Sequence, residues 1–364
     1  MLDSKKNNII KYLGWSLLIL SVVIIKIFSS SPSLVESYYS LKLYHLISYL
    51  LRLSFGWLPF SFGDVCYTII AFFCIISLFK LFILLYKKAY TLPIFKRQLL
   101  KLIKALLWLY IIFSLFWGLN YERLGIASQL NLKNNTYTNA ELKDLLCDVT
   151  DELNKARLEL GDSNYKYPSI DTIYTTAINA YATATKNFLF LRYKYPSVKS
   201  SSLTFLVSYL GYSGYYNPFS GEAQVNTDLP RFNMPFVTCH EMAHQLGYAS
   251  ESEANFVGYL VAKGSNSQLF KYSALFELFL TANSELMNRD FVSALLNIKS
   301  LNTLVKKDIK TYKNFVLKRK NNLEPIIQTA YDQYLKANQQ KSGVNSYNEL
   351  VGWVIDYRKK YEDR

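Results

Sequence analysis

The sequence predicts a mainly α-helical protein with a small β element. Three N-terminal transmembrane helices are followed by a mostly helical domain outside the cytoplasm. Three observations carry this expectation: apolar runs crowd the first third of the chain, basic residues are spread unevenly around them, and the composition turns globular from about Asn131. At 364 residues, 51% hydrophobic and 19% charged, the chain is too apolar to be disordered, and with 14 Gly and 4 Cys it is neither collagen-like nor a disulfide scaffold.

The apolar runs cover about residues 12–28, 65–86 and 100–119. At about 17–22 residues each, they can cross roughly 30 Å of hydrocarbon as helices. Lys26, Lys80, Lys101 and Lys104 can reach the headgroups with their stems in the apolar layer. Runs such as Trp15–Ile25 and Ala105–Trp117 have no polar face to turn to water, which argues against buried helices of a soluble core. A cleaved signal peptide ending near Ser29–Ser31 is the alternative for the first run.

Residues 1–118 hold 13 Lys or Arg against Asp3, Glu36 and Asp64, so most of the net charge of +14 surrounds the apolar runs. Such a charge orients a membrane anchor and implies no nucleic-acid partner. Lys5, Lys6 and Lys11 precede the first run, and Lys87, Lys88, Lys96 and Arg97 lie between the second and third. The positive-inside rule then makes the N-terminus cytoplasmic. The expected layout is a membrane domain at 1–119 and an extracytoplasmic (periplasmic) domain at 120–364, in a multi-pass protein of the cell (inner) membrane. Leu41–Phe60, interrupted by His45, Arg52 and Pro59, reads as an amphipathic helix on the outer interface. The alternative, a fourth span, would invert the C-terminal domain.

In the outer domain, Thr138 and Glu141 have capping-box spacing for a helix running to about Leu160 and closed by Gly161. A second helix is expected from Asp171 to about Phe190, and short strands at Leu203–Tyr209 and Glu222–Asn226. After Pro235 the pattern is helical, with turns near Gly264, Asn288, Asn321 and Gly343. Cys147 and Cys239 can form a disulfide in an oxidising compartment or stay as two buried thiols. The basic run Lys306–Lys320 reads as a solvated helix face, with contact to anionic lipid as the alternative.

The chemical signal is His240-Glu241-Met242-Ala243-His244. On a helix, i and i+4 share a face, so both imidazoles can grip one metal ion, with Glu241 beside it as general base. Only three histidines exist, and the third, His45, lies in the membrane region. The third ligand of a catalytic zinc site is therefore expected to be a carboxylate, or less readily Cys239. Glu251 is the first candidate and Glu253 the alternative, because Ser250 and Glu253 also have capping-box spacing. Asn255, one turn after Glu251, is placed to hydrogen-bond a ligand histidine.

His240–His244 followed by Glu251–Asn255 resembles the gluzincin metallopeptidases, including the membrane CAAX-prenyl-protease type. In those enzymes the first Glu of the second element is a metal ligand, which implies Glu251. The whole chain is similar to a family of uncharacterised bacterial membrane proteins, through Trp117–Tyr121, Gly214–Glu222, Val225–Asn226, His240–Gly247, Glu251–Leu260 and Tyr331–Tyr347. The resemblance implies a zincin-like domain.

Glu222, Gln224 and Asn226 fall where zincins place the edge strand that aligns an extended peptide; an ordinary turn and strand is the alternative. With no histidine left to hold the oxyanion, a tyrosine (Tyr215, Tyr216 or Tyr248) or Arg231 is expected there. The expected function is a membrane-anchored Zn2+ metallopeptidase acting on a peptide or protein, its partners being that substrate and the lipid bilayer. The alternative is a non-catalytic zincin-fold module for binding or scaffolding. A transporter is disfavoured, because no Asp or Glu sits mid-span.

Overall fold

The computed structural model describes residues 2–132, 136–162, 164–337 and 347–362. Among the described residues three helices are long and apolar enough to cross a membrane: part of α1 (Leu2–Ser29), from Tyr12 on, then α4 (Phe62–Tyr86) and α5 (Leu92–Phe116). Helix α5 starts earlier than its apolar core because Pro93 suits a first helical turn, and it carries Lys96 and Arg97 inside it. It ends at Phe116, where Trp117 and Gly118 turn the chain into a 3-10 turn, Gly118–Glu122.

Between α1 and α4 runs one helical arm: α2 (Pro32–Leu34), a π-helical stretch (Val35–Leu43) and α3 (Tyr44–Phe55). The arm is not a fourth apolar span. One face buries Val35, Tyr39, Tyr44, Ser48 and Arg52 against the rest of the chain, while Leu41, Leu46, Leu50 and Leu53 are exposed. It is therefore amphipathic, as its sequence indicates, but its polar side faces protein.

The remaining chain is mostly helical: α6 (Gly125–Gln129), α7 (Asn139–Glu159), α8 (Ile170–Ala184) and α9 (Thr204–Tyr209), then α10 (Met234–Gln245), α11 (Glu251–Lys263) and α12 (Gln268–Arg289). Four more follow, α13 (Phe291–Ser300), α14 (Thr303–Arg319), α15 (Glu324–Ala337) and α16 (Tyr347–Tyr361). Thr138 and Glu141 form both halves of the capping box of α7. Helix α8 stops at Ala184, short of Phe190, and a 3-10 turn takes Leu189–Leu191. The turn expected near Gly343 lies outside the described residues. Most lysines of α14 point to water, and only Val305 and Asp308 are buried on that helix.

A three-stranded sheet has the order β1 (Val198–Ser200), β3 (Glu222–Val225), β2 (Gly214–Asn217). Strand β1 is parallel to β3, and β2 antiparallel, with Gly214 opposite Val225 and Asn217 opposite Glu222. The strand expected at Leu203–Tyr209 is instead helix α9. Its branched and aromatic residues suit a strand, but Ser201 and Ser202 before it are held by Asp64, and the turn buries only Val207 and Ser208. Cys147 and Cys239 are both free; Cys147 is exposed and Cys239 buried, so they form neither a disulfide nor a pair of buried thiols.

The main core gathers α7, α8, α10, α11, α12 and α16. A second cluster joins Leu18 and Ile25 of α1, Tyr39 and Tyr44 of the arm, Ile111, Trp117 and Leu119 with Ala249 from the loop after α10. Packing is thus continuous across residues 119 and 120.

Candidate metal centre

Helix α10 carries the His-Glu pair-bearing motif, and its position is set at both ends. Pro235 occupies its first turn, and Phe236 N–H donates to Ser273 Oγ on α12. The last carbonyls of a helix have no partner within it. Here Tyr44 Oη donates to the carbonyls of His244 and Gln245, at 3.3 and 3.1 Å, and Ser48 Oγ to that of Gln245 at 2.8 Å. Trp117 Nε1 adds a donor to His244 at 3.4 Å, and its ring meets the His244 imidazole edge-on. The arm and the end of α5 therefore close the C-terminus of the motif helix. Gly247, at φ +87°, makes the exit turn, and a side chain there would strike the Tyr44 ring.

Glu251 opens α11 and brings its carboxylate to 3.3 Å from His240 Nε2 and 3.8 Å from His244 Nε2. One ligand atom from each of these three residues lies within 4.8 Å of the others. Ligand atoms around a zinc at ~2.1 Å stand roughly 3.4 Å apart, so small rotamer changes would close the set on an ion. The His244 tautomer is fixed by Nδ1, which lies 2.7 Å from the Tyr248 carbonyl and donates to it, leaving the Nε2 lone pair toward Glu251. Burial opposes charge on His240, but Glu251, Glu241 and Asn255 outweigh it and lift the imidazole to about 9. Burial lowers His244 to about 4. A metal would have to displace the proton on His240.

Glu253, the alternative ligand, does something else. Its carboxylate turns away from the histidines and accepts the Ile126 N–H at 2.7 Å, at the start of α6. The capping box expected from Ser250 does not form, since Ser250 makes no side-chain cap. Burial pushes Glu253 up to about 7, relieved in part by Arg123. Gly125, at φ +75°, has no room for a side chain beside that carboxylate.

Glu241 is buried, with one carboxylate oxygen, Oε2, lacking a hydrogen-bond partner, and burial pushes it up to about 8. His240 Nδ1 and Asn255 Nδ2 are likewise buried without a partner. Three orphaned polar atoms around a His-His-Glu set fit a centre built to hold a cation and a polar ligand.

The centre lies in a cleft of about 570 Å³. One wall is β2 and its approach, Leu210 to Tyr216; another is Asn233, Phe236 and Glu277; a third is Tyr67, Phe113, Trp117 and Tyr121 from the membrane-side elements. Gly214 permits β2 to cross the Glu241 carboxylate, because an added Cβ would stand 2.5 Å from Oε1.

The strand expected to align a substrate is misassigned. Glu222, Gln224 and Asn226 are fully buried in and beside β3, the middle strand, whose two edges are both taken. Glu222 caps α4, accepting from Phe62 N–H at 3.0 Å and Gly63 N–H at 2.7 Å. Among the described residues β2 is paired on one side only, so the available edge beside the centre is Gly214–Asn217. Of the oxyanion candidates, Tyr215 lines the cleft but donates to Asp64, and Tyr216 pairs with Tyr44 at 3.2 Å. Tyr248 is buried outside the cleft lining, bonded to Gln129, and Arg231 turns to Met234. Sequence proximity missed Tyr212. It lines the cleft, and burial with the nearby charge of Glu251 raises its pKa. The glycine spacing of Gly211 and Gly214 around it was the only signal in the sequence.

Fold and site together define a mainly helical protein with, among the described residues, three candidate membrane spans and a His-His-Glu cluster, buried at His244 and half-buried at His240 and Glu251, in the lining of a cleft. A family model described as "Protein of unknown function (DUF3810)" matches residues 39–355, and the chain belongs to that family. No curated protein and no solved structure matches the chain.

Proposed function

We propose that this protein is a membrane-anchored zinc peptidase, with zinc held by His240, His244 and Glu251 and its cleft on the extracytoplasmic side. The observation that carries the reading is Glu241, whose buried Oε2 has no hydrogen-bond partner, in the cleft lining beside a cluster of three donors that among the described residues has no fourth protein ligand. A structural zinc site more often has four protein ligands. Two imidazoles and one carboxylate are a usual donor set of catalytic zinc.

When bound, zinc supplies Lewis acidity toward a peptide carbonyl and makes water more acidic. Glu241 accepts the proton of the attacking water and returns it to the amine as the C–N bond breaks. Its raised affinity for protons, caused by burial, matches a group that must both take and give one. Strand β2 offers backbone partners to an extended peptide, and the Tyr212 phenol is the oxyanion donor.

The orientation rests on charge. The ends of α4 and α5 remote from the cleft carry Lys87, Lys88, Lys96 and Arg97, which by the positive-inside rule face the cytoplasm.

The test compares full-length wild type and Glu241→Gln in nanodiscs. Both should bind one zinc, and only the wild type should cleave a random peptide library. Equal turnover by the two would end the mechanism. One zinc without any cleavage by wild type would favour a binding or scaffold role.

A further inference from the structure

Three carboxylates line the cleft, Glu241, Glu251 and Glu277, and among the described residues no Lys or Arg does. In the reading above Glu251 holds the ion and Glu241 handles the proton. A divalent cation offsets the charge of those two. Glu277, on α12, is left over in the wall.

Its position is set by the start of the motif helix. Ser273 and Glu277 are four residues apart on α12 and share a face. Ser273 Oγ accepts from Phe236 N–H at 3.0 Å and donates to the Asn233 carbonyl at 3.2 Å. One turn further along α12, Asn233 Nδ2 donates to Glu277 Oε2 at 3.1 Å. The lacing of α10 to α12 thus holds the carboxylate in the cleft lining.

Among the described residues the bond from Asn233 is the one hydrogen bond that Glu277 makes, and no Lys or Arg pairs with it. Burial raises its pKa against the opposing pull of Asn233 and His240. Tyr312 lines the cleft as well, and burial followed by the charge of Glu277 raises its phenol, so the two groups stand near each other. A carboxylate among aromatic rings is a favourable setting for an ammonium or guanidinium.

A purely structural role does not account for the residue type. Accepting the Asn233 amide needs one carbonyl oxygen, which a glutamine side chain would supply at the same length and without a charge to desolvate. A half-buried carboxylate with no cation of its own chain beside it is costly until a cation from outside meets it.

We propose that Glu277 determines specificity by receiving a cationic group of the peptide substrate, an ammonium or guanidinium, beside the metal centre. This rests on the peptidase reading above and names the substrate class. Two parts of a peptide carry such a group, its free amino terminus and a Lys or Arg side chain, and the test separates them.

The experiment uses the full chain, zinc-loaded, in nanodiscs, with a random peptide library in three versions. One is acetylated at the amino terminus and lacks Lys and Arg, the second differs only in a free amino terminus, and the third is acetylated but includes Lys and Arg. A cationic version should be cleaved about tenfold or more faster than the neutral one, and whichever version gains identifies the source of the charge. Glu277→Gln keeps the Asn233 bond and should bring that ratio close to one. Glu277→Lys should turn the preference toward an acetylated version rich in Asp and Glu. Binding is read apart from turnover by the retention of each version on Glu241→Gln protein, with the same tenfold preference expected and its loss expected when Glu277→Gln is added. Equal cleavage of all versions by wild type, or a preference that survives Glu277→Gln, would overturn the role of Glu277 and leave the peptidase intact. Cation-selective retention that depends on Glu277, with no cleavage of any version, would uphold the cation site and overturn the peptidase reading. Neither cleavage nor selective retention would overturn both.

Discussion

Replacing Gly214 by Ala probes the placement of Glu241 without touching a metal ligand. The new Cβ would stand 2.5 Å from Glu241 Oε1, 2.9 Å from its Cδ and 2.7 Å from the Gln224 carbonyl oxygen. Ordinary contacts begin near 3.4 Å, so the first gap is short by about 0.9 Å. The Gln224 carbonyl belongs to the central strand, so it cannot yield cheaply; either the carboxylate retreats or β2 bows outward. In both cases the base moves by about an ångström relative to a peptide on β2, a displacement that can cost about 10²-fold in turnover. His240, His244 and Glu251 sit on α10 and α11, away from the new methyl, and zinc content should stay at one equivalent. The assay is metal analysis by mass spectrometry alongside kcat and KM for a cleaved peptide. As a control, Gly161→Ala meets nothing within 4 Å; at φ +99° it should lower stability by about 1 kcal/mol and leave kcat unchanged. A Gly214→Ala protein with wild-type kcat would refute the argument that Glu241 is held by this strand.

Glu251→Gln should weaken zinc binding by more than the 10–100-fold typical of losing an outer partner of a ligand, whereas Glu253→Gln should leave it within that range; a dialysis titration with a chromophoric chelator decides, and the reverse order would reassign the ligand. Arg123, nearly inaccessible, donates to both oxygens of Glu36 at 2.8 Å, so Glu36→Gln leaves a buried cation short of its partner and should cost about 3–5 kcal/mol, read as a lower Tm. Burial raises the Glu36 pKa, but the bonds from Arg123 and Gln129 win and hold it below 4.5. Its stabilisation is therefore present above pH 4.5 and lost as pH falls through the lower folded value, so acid should narrow the Tm gap between wild type and Glu36→Gln. In native protein at neutral pH, a bulky maleimide should label Cys147 quickly and Cys239 only after unfolding; equal labelling would contradict the burial of Cys239, and loss of both thiols would show an unexpected disulfide.

What could be read from the sequence was whatever local chemistry repeats with a fixed period. The three apolar helices, the capping box of α7 and the i, i+4 pairing of His240 and His244 are of this kind. The arithmetic of three histidines also pointed to a carboxylate donor, and Glu251 is the one beside the imidazoles. What could not be read was decided by partners far along the chain. Ser250 and Glu253 have the spacing of a capping box, yet the Ile126 N–H, 127 residues away, takes the carboxylate. Leu203–Tyr209 has strand composition, yet the bonds of Ser201 and Ser202 to Asp64 set the backbone that enters it. Tyr215 and Tyr216 were close to the motif in sequence, but their hydroxyls are engaged by Asp64 and Tyr44, 151 and 172 residues away.

The place of Glu222 shows how the apolar helices and the candidate centre are held by the same residues. A carboxylate at 0% exposure is costly unless its charge meets donors, and here the donors are the free N–H groups at the start of α4. The same strand, through the Gln224 carbonyl, confines Gly214 and thus Glu241. From the other side, Tyr44, Ser48 and Trp117 finish the helix that bears both histidines. A chain beginning at residue 120 would keep every ligand and lose these supports at once. It would expose the last carbonyls of α10, uncover a buried carboxylate and remove one wall of the cleft. Metal binding and turnover should therefore depend on residues that never touch the ion, and the anchor is part of the centre's architecture.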